Sequence, residues 1–350
     1  MTDKTNAAVG ADAPFLLACR REPAPYTPVW LMRQAGRYMA EYRTVRARYG
    51  FLELCKTPAA AAQVTVEAVD RLGVDAAIIF ADILLILEPF GLGLEFTPGD
   101  GPVLHRPVRS PDDVARLPHN DAAAELAYVY EAVRQARAQL RVPLIGFAGA
   151  PFTLASYAIE GGGSRNYVHT KKLMYTAPDA WNTLMERLGS ATANYLNAQI
   201  EAGVDAVQIF DSWVGALSPS DYRRFVLPHM QKLIAAVRPG VPVIHFGTGT
   251  CGLLEAMREA GGDVLGLDWR VEFDAGWARI GTDFAVQGNL DPIVLLGPLA
   301  EIRAQTKRIL AQAGGRPGHI FNLGHGILPE TPVDNVRALV ELVHELSQRP

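Results

Sequence analysis

Gly73-Val74-Asp75-Ala76-Ala77-Ile78-Ile79-Phe80-Ala81-Asp82 has a close echo later in the chain, Gly203-Val204-Asp205-Ala206-Val207-Gln208-Ile209-Phe210-Asp211-Ser212. Each run opens on Gly-Val-Asp, continues through β-branched and apolar residues, and closes on a polar group, the pattern of a buried strand between turns. Two βα units of one larger array, or two unrelated units converging on the same apolar wording, both account for the echo. Working outward, similar short runs occur at residues 29–32, 143–147, 242–246, 264–267, 284–287 and 319–323, which makes eight with 74–80 and 204–210. Most of the intervals carry longer stretches of helical spacing, clearest at residues 57–72, 121–140, 178–202, 219–237, 292–313 and 331–346. Several of these start on Thr-Pro, Asp-Pro or Ser-Pro, a capping residue followed by proline in the first helical turn.

Strands alternating with helices pair in parallel, and eight such units predict a closed (β/α)8 TIM barrel with its active site at the C-terminal ends of the strands. An open doubly wound sheet is the competing fold. It lacks support, because no Gly-x-Gly-x-x-Gly follows the first run and no linker divides the chain. Residues 1–13 read as a disordered tail and 14–350 as one domain.

The 350 residues are 49% hydrophobic and 20% charged, with a formal net charge of -4. That balance argues against a nucleic-acid or anionic membrane partner, which calls for a basic surface. Three dispersed cysteines, Cys19, Cys55 and Cys251, form no disulfide framework or Cys-x-x-Cys site and fit a reducing cytoplasm. Leu16-Leu17-Ala18-Cys19 resembles a lipoprotein cleavage site, but the two aspartates before it and the lack of an apolar segment make export a poor reading. The apolar tract at 76–87 is interrupted by Asp82 and falls short of the ~20 residues of a membrane span.

Polar groups ending the runs form a short set: Arg33 to Arg37, Asp82, Gly149-Ala150-Pro151, Asp211-Ser212 and Gly324-His325-Gly326. On a helix Arg33 and Arg37 would be neighbours about 5–6 Å apart, repelling by roughly 3 kcal/mol at an effective dielectric near 20. A local anion would relieve that repulsion, as would native acids such as Glu41 or Asp70. Asp82 and Ser212 read either as helix caps or as site groups, and His325 either as a site group or as satisfied by backbone carbonyls. No metal is expected. His319 and His325 lie at opposite ends of one run, about 20 Å apart at ~3.3 Å per residue, and there is no His-Glu-x-x-His. Glu160-Gly161-Gly162-Gly163-Ser164 lacks the lysine of a phosphate-binding loop and reads as a flexible or close-packed turn.

The wordings RQAGRYMAEYR, FADIL, GAPFTLASYAIEGGGS, FDSWVGALS and NLGHGILPETPVDNV, spread over residues 28–336, resemble the uroporphyrinogen decarboxylase family of haem biosynthesis. The resemblance implies a cofactor-independent carboxy-lyase, usually a homodimer, that converts the four acetate arms of uroporphyrinogen III to methyl groups, giving coproporphyrinogen III. It implies substrate contacts at Arg33, Gln34, Ala35, Gly36, Arg37, Asp82, Tyr157, Ser212 and His325, with Arg33, Arg37 and Asp82 in catalytic roles. Met39-Ala40 stands where Leu-Pro is expected, and Ala81 replaces the more usual serine, which puts the holding of Asp82 in question.

A substrate with eight carboxylates would turn the arginine repulsion into complementarity through paired charge-assisted hydrogen bonds. Arg46 is either a third cation at the mouth or a solvated helix residue. In place of a cofactor sink, a protonated pyrrole would take the electrons of each breaking carbon–carbon bond. Asp82 would stabilise the resulting ring cation. Two groups stand as proton donor, His325, with an ordinary pKa near 6.5, and Arg33, a far weaker acid. A zinc-dependent corrinoid methyltransferase on the same barrel would need a His-x-Cys pair, and the chain offers His245-Phe246-Gly247. A non-enzymatic porphyrin carrier would bind without releasing product.

Overall fold

The structure is a computed structural model and describes residues 10–97, 101–118 and 121–349. The expected tail therefore lies outside the described residues up to residue 9. Residues 10–13 form a turn, Ala13 N–H donating to Gly10 O, that leads into a helix at Pro14–Cys19. The strands are β1 (Ala77–Ile78), β2 (Leu94–Thr97), β3 (Gly101–Leu104), β4 (Leu144–Gly149), β5 (Ala206–Asp211), β6 (Val243–Gly247), β7 (Val264–Gly266), β8 (Ala285–Leu290) and β9 (His319–Leu323). β1 and β4 to β9 pair in parallel, each with the next, into one curled seven-stranded sheet. Helices returning between the strands make this an α/β fold.

Seven of the eight expected strands are present in register, and the first differs. Residues 28–32 make a single bridge, Val29 to Phe321 of β9, where a full strand was expected. Side chains occupy the amides that a ladder would have used. Val29 N–H donates to Asp75 Oδ2 at 2.7 Å, Leu31 N–H to Gln34 Oε1 at 3.1 Å and Met32 N–H to Asn322 Oδ1 at 3.1 Å. The segment nevertheless touches both sheet edges, since Phe321 N–H donates to Pro28 O and Asp75 N–H to Val29 O, each at 2.8 Å.

The Gly-Val-Asp echo has a structural meaning. Asp75 Oδ2 takes the amide of Val29, Asp205 Oδ2 that of Leu144 at 2.7 Å, and Asp263 Oδ2 that of Val243 at 2.8 Å. Each aspartate thus secures the start of the preceding strand. Asp75 also accepts from Tyr26 Oη at 2.9 Å and pairs with His344 Nε2 at 2.8 Å, tying the last helix, Val333–Ser347, to the first segment. Asp75→Ala strands these partners and is expected to lower unfolding stability by about 2–4 kcal/mol, read from urea denaturation.

Trp30, Ile145, Ala206, Ile244, Val264, Ala285 and Ile320 fill the sheet interior, with Phe15 and Cys19 of the first helix packed against them. Cys19 is only 2% exposed, and burial pushes its thiol pKa up. Residues 219–237 divide into helices Pro219–Phe225 and Leu227–Ala236, because Pro228 has no N–H to continue the ladder. Gly297-Pro298 likewise splits 292–313 into a 3₁₀ turn, Pro292–Leu296, and a helix, Leu299–Ala313. The β2–β3 hairpin was not anticipated. Its end meets the triple glycine, Leu104 N–H donating to Gly161 O at 2.9 Å, so that loop is close-packed.

Candidate active site

The residues after the first segment are turns, and a helix begins only at Ala40. Arg33 has a left-handed backbone, φ 63°, a conformation that costs a non-glycine residue ~1–3 kcal/mol and is tolerated where the surroundings enforce it. The expected helical pairing of Arg33 with Arg37 is thereby overturned. Gln34 is 1% exposed, its side chain committed to Leu31 N–H and, through Nε2, to Ala76 O at 3.1 Å. It is the frame of the loop, and Tyr38 Oη donates to its carbonyl at 2.6 Å. Ala35 and Gly36 are half-buried in the same turn.

Asp82 follows β1. Its Oδ1 accepts Leu84 N–H at 2.8 Å, so the capping role is real. Its partly exposed carboxyl is nonetheless walled by protein, and burial raises its pKa from 3.8 to about 6 against the lowering effects of the Leu84 amide and the Arg33 guanidinium. Tyr157 lies on the helix Pro151–Glu160, which starts where β4 ends. Burial first, then the Asp82 carboxylate, pushes its phenol up, with Arg33 opposing. Its ring stacks on Trp213, centroids 3.7 Å apart, and Tyr167 meets the same indole edge-on at 5.3 Å. Ser212 is half-buried between Asp211 and Trp213.

His325 closes the group from the end of β9. Its pKa is lowered by burial, then by Arg33 and Arg270, against a backbone hydrogen bond with Gly326. Arg270 lies 3.8 Å over the Trp269 ring, and Trp269 faces His325 edge-on at 6.1 Å. Asp268, 1% exposed, holds Arg270 through its backbone amide at 2.8 Å and Nη1 at 3.0 Å. The glycines flanking His325 are required by packing. A Cβ on Gly326 would overlap the Arg33 side chain, coming within 2.8 Å of Cγ, and one on Gly324 would overlap Trp269 N. Gly326→Ala is expected to push Arg33 aside and lower kcat/KM at least tenfold while the protein stays folded, about the loss of one charge-assisted contact. Steady-state kinetics beside circular dichroism checks this.

Arg33 is therefore the hub that couples to Asp82, Tyr157 and His325. Arg33 and Arg37 are both exposed, but the influence of Arg37 falls on Tyr42 together with that of Arg46. Arg46 itself donates to Tyr49 O and sits 5.8 Å over the Phe51 ring. His245 is fully buried, 3.8 Å from Asp211. A cavity of about 240 Å³ behind Trp269, lined by Glu272, Asn289, Asp291 and Arg308 among others, contains none of the expected contacts. Trp213, Trp269 and Arg270 were not singled out from the sequence. Trp213 stands inside FDSWVG, but its stacking partner lies on a different element. Among the described residues, no group of three or more His, Cys, Asp or Glu side chains is arranged to hold a metal, and no helix is long and apolar enough to cross a membrane.

The fold is shared with a methyltransferase from Methanosarcina mazei. That structure superposes with a TM-score of 0.79 at 23% identity, covering 95% of this chain and 97% of the other. A putative vitamin-B12 independent methionine synthase from Listeria monocytogenes superposes at 0.55 with 12% identity, covering 94% and 98%. The sequence places the chain more narrowly. Residues 11–346 match the family uroporphyrinogen decarboxylase (URO-D). The uroporphyrinogen decarboxylase of Roseiflexus sp. (strain RS-1) is 59% identical over 95% of this chain and 98% of its own length, and that of Carboxydothermus hydrogenoformans is 57% identical over 95% and 96%. The chain belongs to the uroporphyrinogen decarboxylase family.

Proposed function

We propose that this protein removes the acetate carboxylates of uroporphyrinogen in tetrapyrrole biosynthesis, leaving methyl groups, at the mouth formed by Arg33, Asp82, Tyr157, Ser212 and His325. Family membership supports the reaction. The observation that carries the site is that Asp82, Tyr157 and His325, which follow three different strands, all feel the charge of Arg33, whose side chain packs against Gly326 beside His325.

In this reading Arg33, with Arg37 at the outer edge, receives peripheral carboxylates of the substrate, while Tyr157, Ser212 and His325 hydrogen-bond others. The backbone of Gln34, Ala35 and Gly36 lines the same edge. A proton adds to a pyrrole carbon beside an acetate arm, and the arm's carbon–carbon bond then gives its electrons to the cationic ring. Carbon dioxide leaves, the exocyclic methylene takes up a proton, and the ring carbon releases the proton added first, which restores the pyrrole with a methyl group in place of the acetate arm. Asp82, ionised above about pH 6, accepts hydrogen bonds from the pyrrole N–H groups and steadies the ring cation from a fixed position. With its pKa lowered, His325 serves as a neutral hydrogen-bonding group.

Three further readings belong to this proposal. The segment at 28–32, bonded at once to Phe321 and Asp75, acts as the eighth stave of a closed barrel. Residues from 14 onward form one domain, and the protein works in the cytoplasm as a homodimer without a cofactor. Light scattering on the eluted protein tests the dimer.

Anaerobic incubation with uroporphyrinogen and excess chelator, followed by chromatography of the oxidised products, tests the activity. Hepta-, hexa-, penta- and tetracarboxylate species should appear in order. An unchanged substrate would sink the reaction, and loss of turnover caused by the chelator would sink the cofactor-free reading.

A further inference from the structure

We propose that Thr153, which is buried behind the mouth, is a positioning residue that sets Ser212 and Tyr157 for substrate through one two-sided hydrogen bond. This rests on the reading of Tyr157 and Ser212 as carboxylate contacts.

Thr153 is fully buried on the helix Pro151–Glu160, one turn before Tyr157. Its hydroxyl donates to Asp211 Oδ1 at 2.8 Å. A hydroxyl carries a single proton, so that bond uses it and turns a lone pair the other way. Trp213 N–H donates to that oxygen at 3.2 Å. The bond holds the peptide joining Ser212 to Trp213, and the indole in turn stacks on Tyr157 at 3.7 Å with 26° between the planes. One side chain thus locks the loop after β5 to the helix after β4, and both proposed contacts follow from that lock.

Asp211 is enclosed by other buried groups. It is fully buried, and its other oxygen lies 3.8 Å from His245 Nε2. Tyr222, also buried, feels the Asp211 charge. None of Thr153, Asp211, His245 or Tyr222 is exposed to substrate, which separates positioning from direct binding.

Thr153→Val keeps the shape and removes both halves of the bond, whereas Thr153→Ser keeps the hydroxyl. With uroporphyrinogen as substrate, T153V should raise KM roughly tenfold, the size expected for one broken buried hydrogen bond, and change kcat much less. T153S should return KM to within about twofold of the parent by the same argument. In a Trp213→Leu background T153V should raise KM by a smaller factor than it does alone, because the path through the indole to Tyr157 is already cut while the backbone hold on Ser212 remains. An unchanged KM in T153V, a T153S protein as impaired as T153V, or additive effects with W213L would each overturn the proposal. Thr153→Ala replaces T153V if the valine protein does not fold. Tyr157→Phe separates the underlying reading: an unaltered KM there defeats Tyr157 as a contact, whereas a raised KM without T153V coupling defeats the role of Thr153 alone.

Discussion

Asp82→Asn is expected to fold at least as stably as the parent and to decarboxylate uroporphyrinogen roughly 10²–10³-fold more slowly, the usual cost of deleting a preorganised electrostatic contact. Asn preserves the volume and an acceptor for Leu84 N–H, so what is lost is the negative charge under the proposed ring cation. The stability half of the prediction follows from burial. Asp82 has a folded-state pKa of about 6 against 3.8 in the unfolded chain. Its favourable contribution is therefore complete below pH 3.8 and lost as pH rises through 6. At pH 7.5 the ionised group disfavours the native state by up to about 3 kcal/mol. The asparagine protein should melt higher than the parent at pH 7.5, and the difference should vanish towards pH 4. The parent's kcat/KM should fall with an acid limb near pH 6, the pKa of Asp82 in the free protein. Near-parental turnover in the variant would defeat the charge role, and a lower melting point at pH 7.5 would defeat the burial account.

Arg33→Gln should lower kcat/KM by roughly 10²–10³-fold, since one half of a set of close charge contacts is removed. It should also leave a titration signature. The guanidinium opposes the rise in Asp82's pKa and lowers that of His325, so both should move up without it. The acid limb of the rate should shift to higher pH in the variant, measured as kcat/KM between pH 5 and 8. A loss of activity with an unshifted limb would mean that Arg33 binds substrate at a distance from Asp82. Arg37→Gln, at an exposed residue whose influence falls on Tyr42, should move the limb far less.

Seven strands were legible because each is a short apolar run bounded by Gly, Pro or Asp, and the rim residues were legible because they follow those runs. The family wording then supplied a ligand chemistry that spacing alone could not. What was hidden is tertiary. Residues 28–32 read as a strand, yet Asp75, Gln34 and Asn322 take their amides, and these partners are distant in the chain or turned back upon it. The helical reading of Arg33 to Arg37 failed at the left-handed φ of Arg33, a conformation that no residue type at that position announces. The hairpin Leu94–Thr97 with Gly101–Leu104 escaped because four-residue strands leave too little alternation to recognise. Thr153 and Trp213 lay inside recognised wordings, but their joint role exists only where two successive βα loops meet.

The segment that carries Arg33 is anchored by the far end of the chain. Phe321 N–H donates to Pro28 O at 2.8 Å, Asn322 accepts from Met32 at 3.1 Å, Ile327 N–H donates to Met32 O at 2.9 Å, and Gly326 makes room for the arginine. During synthesis Arg33 leaves the ribosome early and has nothing to seat it until residues 319–327 emerge. A nascent chain stalled before that point should hold no porphyrinogen.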